Sequence, residues 1–147
     1  MIDREVIEKK MDMIEEGLAY LRKARELRQD EFLASFEKIQ AAKHTLQETI
    51  EACLDIANHL LAAKGLPRSE TYSGMFTILG KEGLLPAGLA ERLAEMATFR
   101  DLLVHRYAEV DNVRVYQILR QRLVDVEGFL SEISKALAEE NDPPTDF

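Results

Sequence analysis

The sequence predicts an all-α fold, an up-and-down bundle of four long helices plus one short helix. Apolar residues recur at alternating steps of three and four over most of the chain, the spacing that keeps them on one face of a helix. No stretch alternates with period two, so no strand competes with this pattern. Helix-ending residues, Gly65 with Pro67 and Gly83 with Pro86, fall between the apolar stripes rather than inside them.

From Asp3 onward, Ile7, Met11, Ile14, Leu18 and Leu21 form a stripe that carries a first helix to about Arg28. Asp30 is placed to cap a second helix with the stripe Phe32, Phe36, Ile39, Leu46, Ile50, Cys53, Ala57 and Leu60, interrupted only by Lys43. Gly65 supplies a left-handed stop and Pro67 prevents continuation, so this helix would run about thirty-five residues, roughly 50 Å. A stripe of that length exceeds what the rest of the chain can cover and points to contact with a second copy. Ser69 can cap a short third helix carrying Tyr72, Met75, Phe76 and Leu79, closed by Gly80 and Gly83. Pro86 suits the first position of a fourth helix, with Leu89, Leu93, Met96 and Ala97 inward and Arg100 on its last turns. Asp111 or Asn112 caps the last helix, in which Tyr116, Leu119, Leu123, Val126, Leu130, Ile133 and Leu137 keep a strict three-four alternation. The chain is read as one helical domain over residues 1–140 followed by a flexible tail, 141–147, with the whole EENDPPTDF end frayed.

Composition narrows the function classes. The chain has 27 acidic residues against 19 Lys and Arg, a net charge of -8 that argues against nonspecific nucleic-acid binding. The distribution tempers this, because Arg92, Arg100, Arg106, Arg114, Arg120 and Arg122 gather in one region and allow a locally basic pocket on an acidic body. The single Cys53 can form no intrachain disulfide and is expected to pack as a small apolar residue, in keeping with a reducing cytoplasm. No basic, apolar leader opens the sequence, and no apolar run approaches the roughly eighteen residues of a membrane span, so a soluble protein without membrane contact is expected. His44 and His59 sit beside stripe positions and read as structural. No histidine and carboxylate pair has a helical ligand spacing with a third ligand nearby, so neither a metal nor a cofactor is expected. Gly74 and Gly80-Lys81 imitate a phosphate-binding loop, but five residues separate the glycines and Glu82 stands where serine or threonine would hold magnesium.

One stretch carries chemistry. RDLLVHRYAEVD, Arg100 to Asp111, puts a fixed cation, a titratable imidazole and a phenol within eight residues. On an ideal helix Arg100 and His105 lie about 140° apart, so one straight helix would not converge them. Either the helix ends or kinks between them, or a second copy completes the site. On spacing alone the triplet also fits a helix-end arginine, a capping histidine and a core aromatic.

Arg100, four residues, His105, one residue and Tyr107 resemble the signature of HEPN domains, in particular the HepT-like toxin family. The approach GMFTILGKEGLLPAGLAERLAEMATFRDLLVHRYAEVD, Gly74 to Asp111, is similar to that family in its order of short helix, Gly-Leu-Leu-Pro turn, amphipathic helix and motif. Many members carry asparagine directly after the arginine; this chain has Asp101, which also occurs in the wider group.

The resemblance implies a metal-independent endoribonuclease, the toxin of a toxin–antitoxin pair. His105 would transfer protons, Arg100 would hold the phosphate, and Asp101 would orient either group. It also implies a homodimer that faces two motifs across its axis, and a minimal nucleotidyltransferase antitoxin that adenylylates Tyr107. A noncatalytic helical module that binds a nucleotidyltransferase or a nucleotide is the alternative, and the acidic composition leans toward it.

Overall fold

The computed structural model describes residues 2–141, which form seven α-helices and one 3₁₀ turn. They are α1 (Arg4–Arg25), α2 (Gln29–Leu33), α3 (Phe36–Ala63), α4 (Tyr72–Lys81), α5 (Ala87–His105), the 3₁₀ turn Tyr107–Glu109, α6 (Asn112–Gln121) and α7 (Leu123–Asn141). The fold is all-α, and among the described residues no helix is long and apolar enough to cross a membrane.

Two of the expected long helices are each broken once. The second splits because Ser35 takes extended backbone (φ -112°, ψ 105°) and its side chain accepts from the Lys38 amide at 3.2 Å, starting α3 afresh. Arg28, not Asp30, is the extended residue that precedes α2. The break turns Phe32 into the core against Tyr116, with ring centroids 5.5 Å apart, and leaves Phe36, expected inward, 73% exposed at the first position of α3. The last helix breaks at Arg122 (φ -117°, ψ -6°), yet every residue of its stripe from Tyr116 to Leu137 is buried. One non-helical residue leaves the phase of the stripe intact, which is why periodicity alone could not locate it.

Other boundaries differ by small shifts with clear causes. Thr71, not Ser69, caps α4 by accepting from the Gly74 amide, while the Ser69 hydroxyl accepts from the Thr71 amide and donates to its carbonyl. Gly65 (φ 65°) and Gly83 (φ 74°) do adopt left-handed backbone, and Leu66 and Leu84 donate back to Leu61 and Leu79 to close α3 and α4. Gly80 lies inside α4, where a Cβ would stand 2.6 Å from the Cβ of Ala90 on α5, so it permits helix approach rather than a stop. Pro86 precedes α5 as its cap instead of opening it, and Asp111 caps α6 through the Val113 amide at 2.9 Å. Glu139 and Glu140 of the expected frayed end belong to α7; residues 142–147 of that tail lie outside the described residues.

The core sits around α3, which packs against each of the other six helices. Phe76 of α4 meets Phe129 of α7 edge-on at 5.8 Å, and Ile7, Ile14, Leu18 and Leu21 of α1 close the opposite side. Gly17 lets α1 approach α3 closely, because a Cβ there would overlap the hydroxyl of buried Thr49. Gly17→Val should therefore cost about 1–3 kcal/mol by overpacking, seen as a Tm lower by about 3–10 °C in a thermal melt.

Candidate functional site

Arg100 and His105 lie on the same unbroken helix, α5, which ends at His105. The helix does not stop between them, so of the geometries open in the sequence an early helix end is absent. Tyr107 follows in the 3₁₀ turn, off the helix axis.

Arg100 is held by two carboxylates. Glu51 of α3 accepts from its Nε at 3.1 Å and its Nη2 at 2.8 Å through one oxygen, and Asp101 accepts from its Nη1 at 3.2 Å. Gln47, one turn earlier on α3, donates to the same Glu51 oxygen at 3.2 Å and fixes the carboxylate. Burial works to lower the Arg100 pKa, but the hydrogen bonds to Glu51 and Asp101, together with the charges of Glu51 and Tyr72, outweigh it and hold the guanidinium above its ordinary value. The guanidinium carbon lies 4.9 Å from the centroid of the Tyr72 ring.

His105 is exposed and, among the described residues, its side chain makes no hydrogen bond or ion pair. With Asp101 it lines an open groove of about 900 Å³ between α3, α5 and the segment that leads into α4, whose walls include Asn58, Arg68, Ser69 and Tyr72. Tyr107 is not among the groove's lining residues. Its hydroxyl donates to Gln40 Oε1 at 2.6 Å, and the Lys43 ammonium stands 3.9 Å from its ring centroid while donating to its carbonyl at 2.8 Å. Burial raises the Tyr107 phenol pKa and lowers that of Lys43.

The motif residues were legible in the sequence, whereas their partners were not. Glu51 reads as part of a solvated acidic face, and Gln40 and Gln47 as ordinary helix polar residues. Lys43 carried a signal, since it interrupts an apolar stripe; its side chain is buried because it serves Tyr107. Most of the arginines that allowed a locally basic pocket are engaged elsewhere. Arg92 and Arg122 both pair with buried Asp125 at 2.8 Å, Arg122 also reaches Glu95, and Arg106 pairs with Glu109. Arg114 lies over the Phe99 ring and Arg120 donates to the Arg25 carbonyl. Of the remaining histidines, His59 accepts from the Asp3 amide at 2.9 Å, and His44 faces Glu48 on the surface. Among the described residues no group of three His, Cys, Asp or Glu is placed to hold a metal ion.

Glu51→Ala would leave Arg100 with Asp101 alone. For a partly exposed, charge-assisted pair the expected loss is about 1–2 kcal/mol in denaturant unfolding.

Comparison with known proteins adds a consistent picture. The family described as ribonuclease HepT-like matches residues 14–133. A tRNA nuclease HepT of Aphanizomenon flos-aquae is 30% identical over 144 residues, covering 96% of this chain and 98% of the relative. An mRNA nuclease HepT of Shewanella oneidensis is 36% identical over 90 residues, covering 60% of this chain and 66% of the relative. Among solved structures, a toxin–antitoxin complex with AMP-PNP superposes with a TM-score of 0.84 at 25% identity, covering 90% of this chain and 99% of the matched one. A tri-AMPylated Shewanella oneidensis HEPN toxin in complex with its MNT antitoxin gives 0.82 at 27% identity, covering 92% and 99%.

Proposed function

The chain belongs to the HepT-like ribonuclease family of HEPN toxins, and we propose that it is the toxin of a toxin–antitoxin pair that cuts RNA in the cytoplasm, without metal, at a site composed by two copies of one helical domain. The observation that carries this reading is the motif itself: an anchored Arg100 and a His105 side chain without a partner among the described residues on one helix, five residues apart and so about 140° apart on ideal helix geometry.

In the proposed reaction a base takes the proton of a ribose 2′-hydroxyl, whose oxygen attacks the adjacent phosphorus. The bond to the 5′-oxygen breaks, an acid protonates that oxygen, and the products are a 2′,3′-cyclic phosphate and a free 5′-hydroxyl. His105 serves as the proton-transfer group, with the copy across the two-fold axis supplying the second one. Arg100 stabilises the extra charge on the pentacoordinate phosphorus. Asp101, bonded to Arg100 and lining the groove with His105, orients the guanidinium. The contrary observation is that two carboxylates already occupy Arg100; this favours the noncatalytic helical module, which predicts no cleavage at all. Arg100→Ala and His105→Ala should each abolish cleavage of an RNA substrate while helicity is retained, and EDTA should leave the parent's rate unchanged. Sedimentation should give about twice the chain mass; a monomer that cleaves, or activity that magnesium restores, would defeat the composite, metal-free site.

The partner in this reading is a minimal nucleotidyltransferase antitoxin, and Tyr107 is its acceptor. The phenol oxygen would displace pyrophosphate from ATP, forming an O–P bond and releasing its proton. This requires the phenol to give up its bond to Gln40. The added phosphodiester charge and nucleotide would oppose entry of RNA beside His105. Co-expression with the enzyme should add one or more increments of about 329 Da, and Tyr107→Phe should abolish the first addition. Equal neutralisation of Tyr107→Phe with no mass change would show that control acts by binding alone.

A further inference from the structure

The groove beside His105 holds two groups that the motif chemistry does not use. Tyr72 opens α4 and is 48% exposed, an unusual setting for an aromatic residue whose neighbours Met75 and Phe76 are buried. Its position is fixed from two sides: Thr71 caps the helix directly before it, and the Arg100 guanidinium lies near its ring. Arg68 also lines the groove, is exposed, and makes no ion pair among the described residues. It stands apart from Arg92, Arg100, Arg106 and Arg122, whose charges are matched by acids. Of the groove's acids, Asp55 is paired with Lys10 and Asp101 with Arg100, which leaves Glu70 as the one acid without an ion pair there.

We propose that this groove is a nucleotide subsite of the cleavage centre, in which the Tyr72 ring stacks on one base of single-stranded RNA and Arg68 holds a neighbouring phosphate. The inference rests on the ribonuclease reading and deepens it. A half-exposed ring on a rigid helix start presents a flat apolar surface that costs little to order, and every base has a face that can stack on it. A free guanidinium in the same groove offers a partner for the phosphate that a stacked nucleotide must carry. Arg100 against Tyr72 then couples the stacked base to the group that faces the cleaved phosphate. An RNA held by stacking suits single-stranded loops and ends, and this is how an acidic chain can select RNA without a basic surface.

The test uses binding of a fluorescent 2′-O-methyl oligonucleotide, which lacks the attacking hydroxyl, together with cleavage of the matching RNA. Tyr72→Leu should weaken binding about tenfold, and Tyr72→Phe should keep it. Scanning an abasic nucleotide along the strand should find one position where the parent loses a similar factor and Tyr72→Leu loses nothing more. Arg68→Gln should weaken binding and reduce the salt slope by about 0.7. If the parent cleaves RNA but the Tyr72 and abasic losses multiply at every position, the subsite is overturned and the ribonuclease reading stands. If Tyr72→Leu instead dissociates the dimer, the ring covers a second copy and the subsite is overturned. If the parent neither binds nor cleaves RNA, both readings fall.

Discussion

Burial along α3 is the constraint on which the rest of the molecule depends. Each of the other helices packs against it, so their mutual positions are set through one shared surface. The same helix turns a second face toward the motif: Gln40, Lys43, Gln47 and Glu51 follow at steps of three, four and four, which places them in a row. Two reach Tyr107, Glu51 reaches Arg100, and Gln47 steadies Glu51. Core packing and site geometry are therefore not separable. A shift of α3 by one turn would misplace the partners of both motif residues at once.

The arginine-rich region shows how an acidic protein uses its cations. Asp125, only 2% exposed, accepts from Arg92 on α5 and from Arg122 at the break between α6 and α7. Arg122 also donates to the Arg92 carbonyl and to Glu95. These contacts tie three helices together where the backbone between α6 and α7 leaves helical geometry. Removing one arginine would leave the buried Asp125 carboxylate on the other alone, and removing both would leave it uncompensated, a far larger penalty than the loss of an exposed pair. Arg92 and Arg122, two of the cations that in the sequence allowed a basic pocket, are instead consumed in holding the fold.

The apolar stripes, the glycine stops at Gly65 and Gly83 and the Asp111 cap were all legible, because each is a local property of a few neighbouring residues. The break at Arg122 was not, since a short interruption preserves the phase of the stripe on either side; nor was the break at Ser35, because Phe32 and Phe36, four apart, read as one stripe although the break turns Phe36 outward. The candidate site divides in the same way. Arg100, Asp101, His105 and Tyr107 lie within one short stretch, and their residue types announce them. Glu51, Lys43 and Gln40 stand 49, 64 and 67 residues from their partners, and only the packing of α3 on α5 and the following turn brings them in. Tyr72 was placed on the apolar stripe of the short helix, and its exposure could not be read from periodicity.

Cys53 lies at the middle of α3, 1% exposed, and burial pushes its thiol well above the ordinary cysteine range. Thiol reagents attack the thiolate, so this side chain is shielded both by access and by its protonation state. It is also the chain's sole cysteine. Its labelling rate therefore clocks the detachment of helices from α3, a stopwatch for opening of the whole bundle that responds little to fraying at the ends.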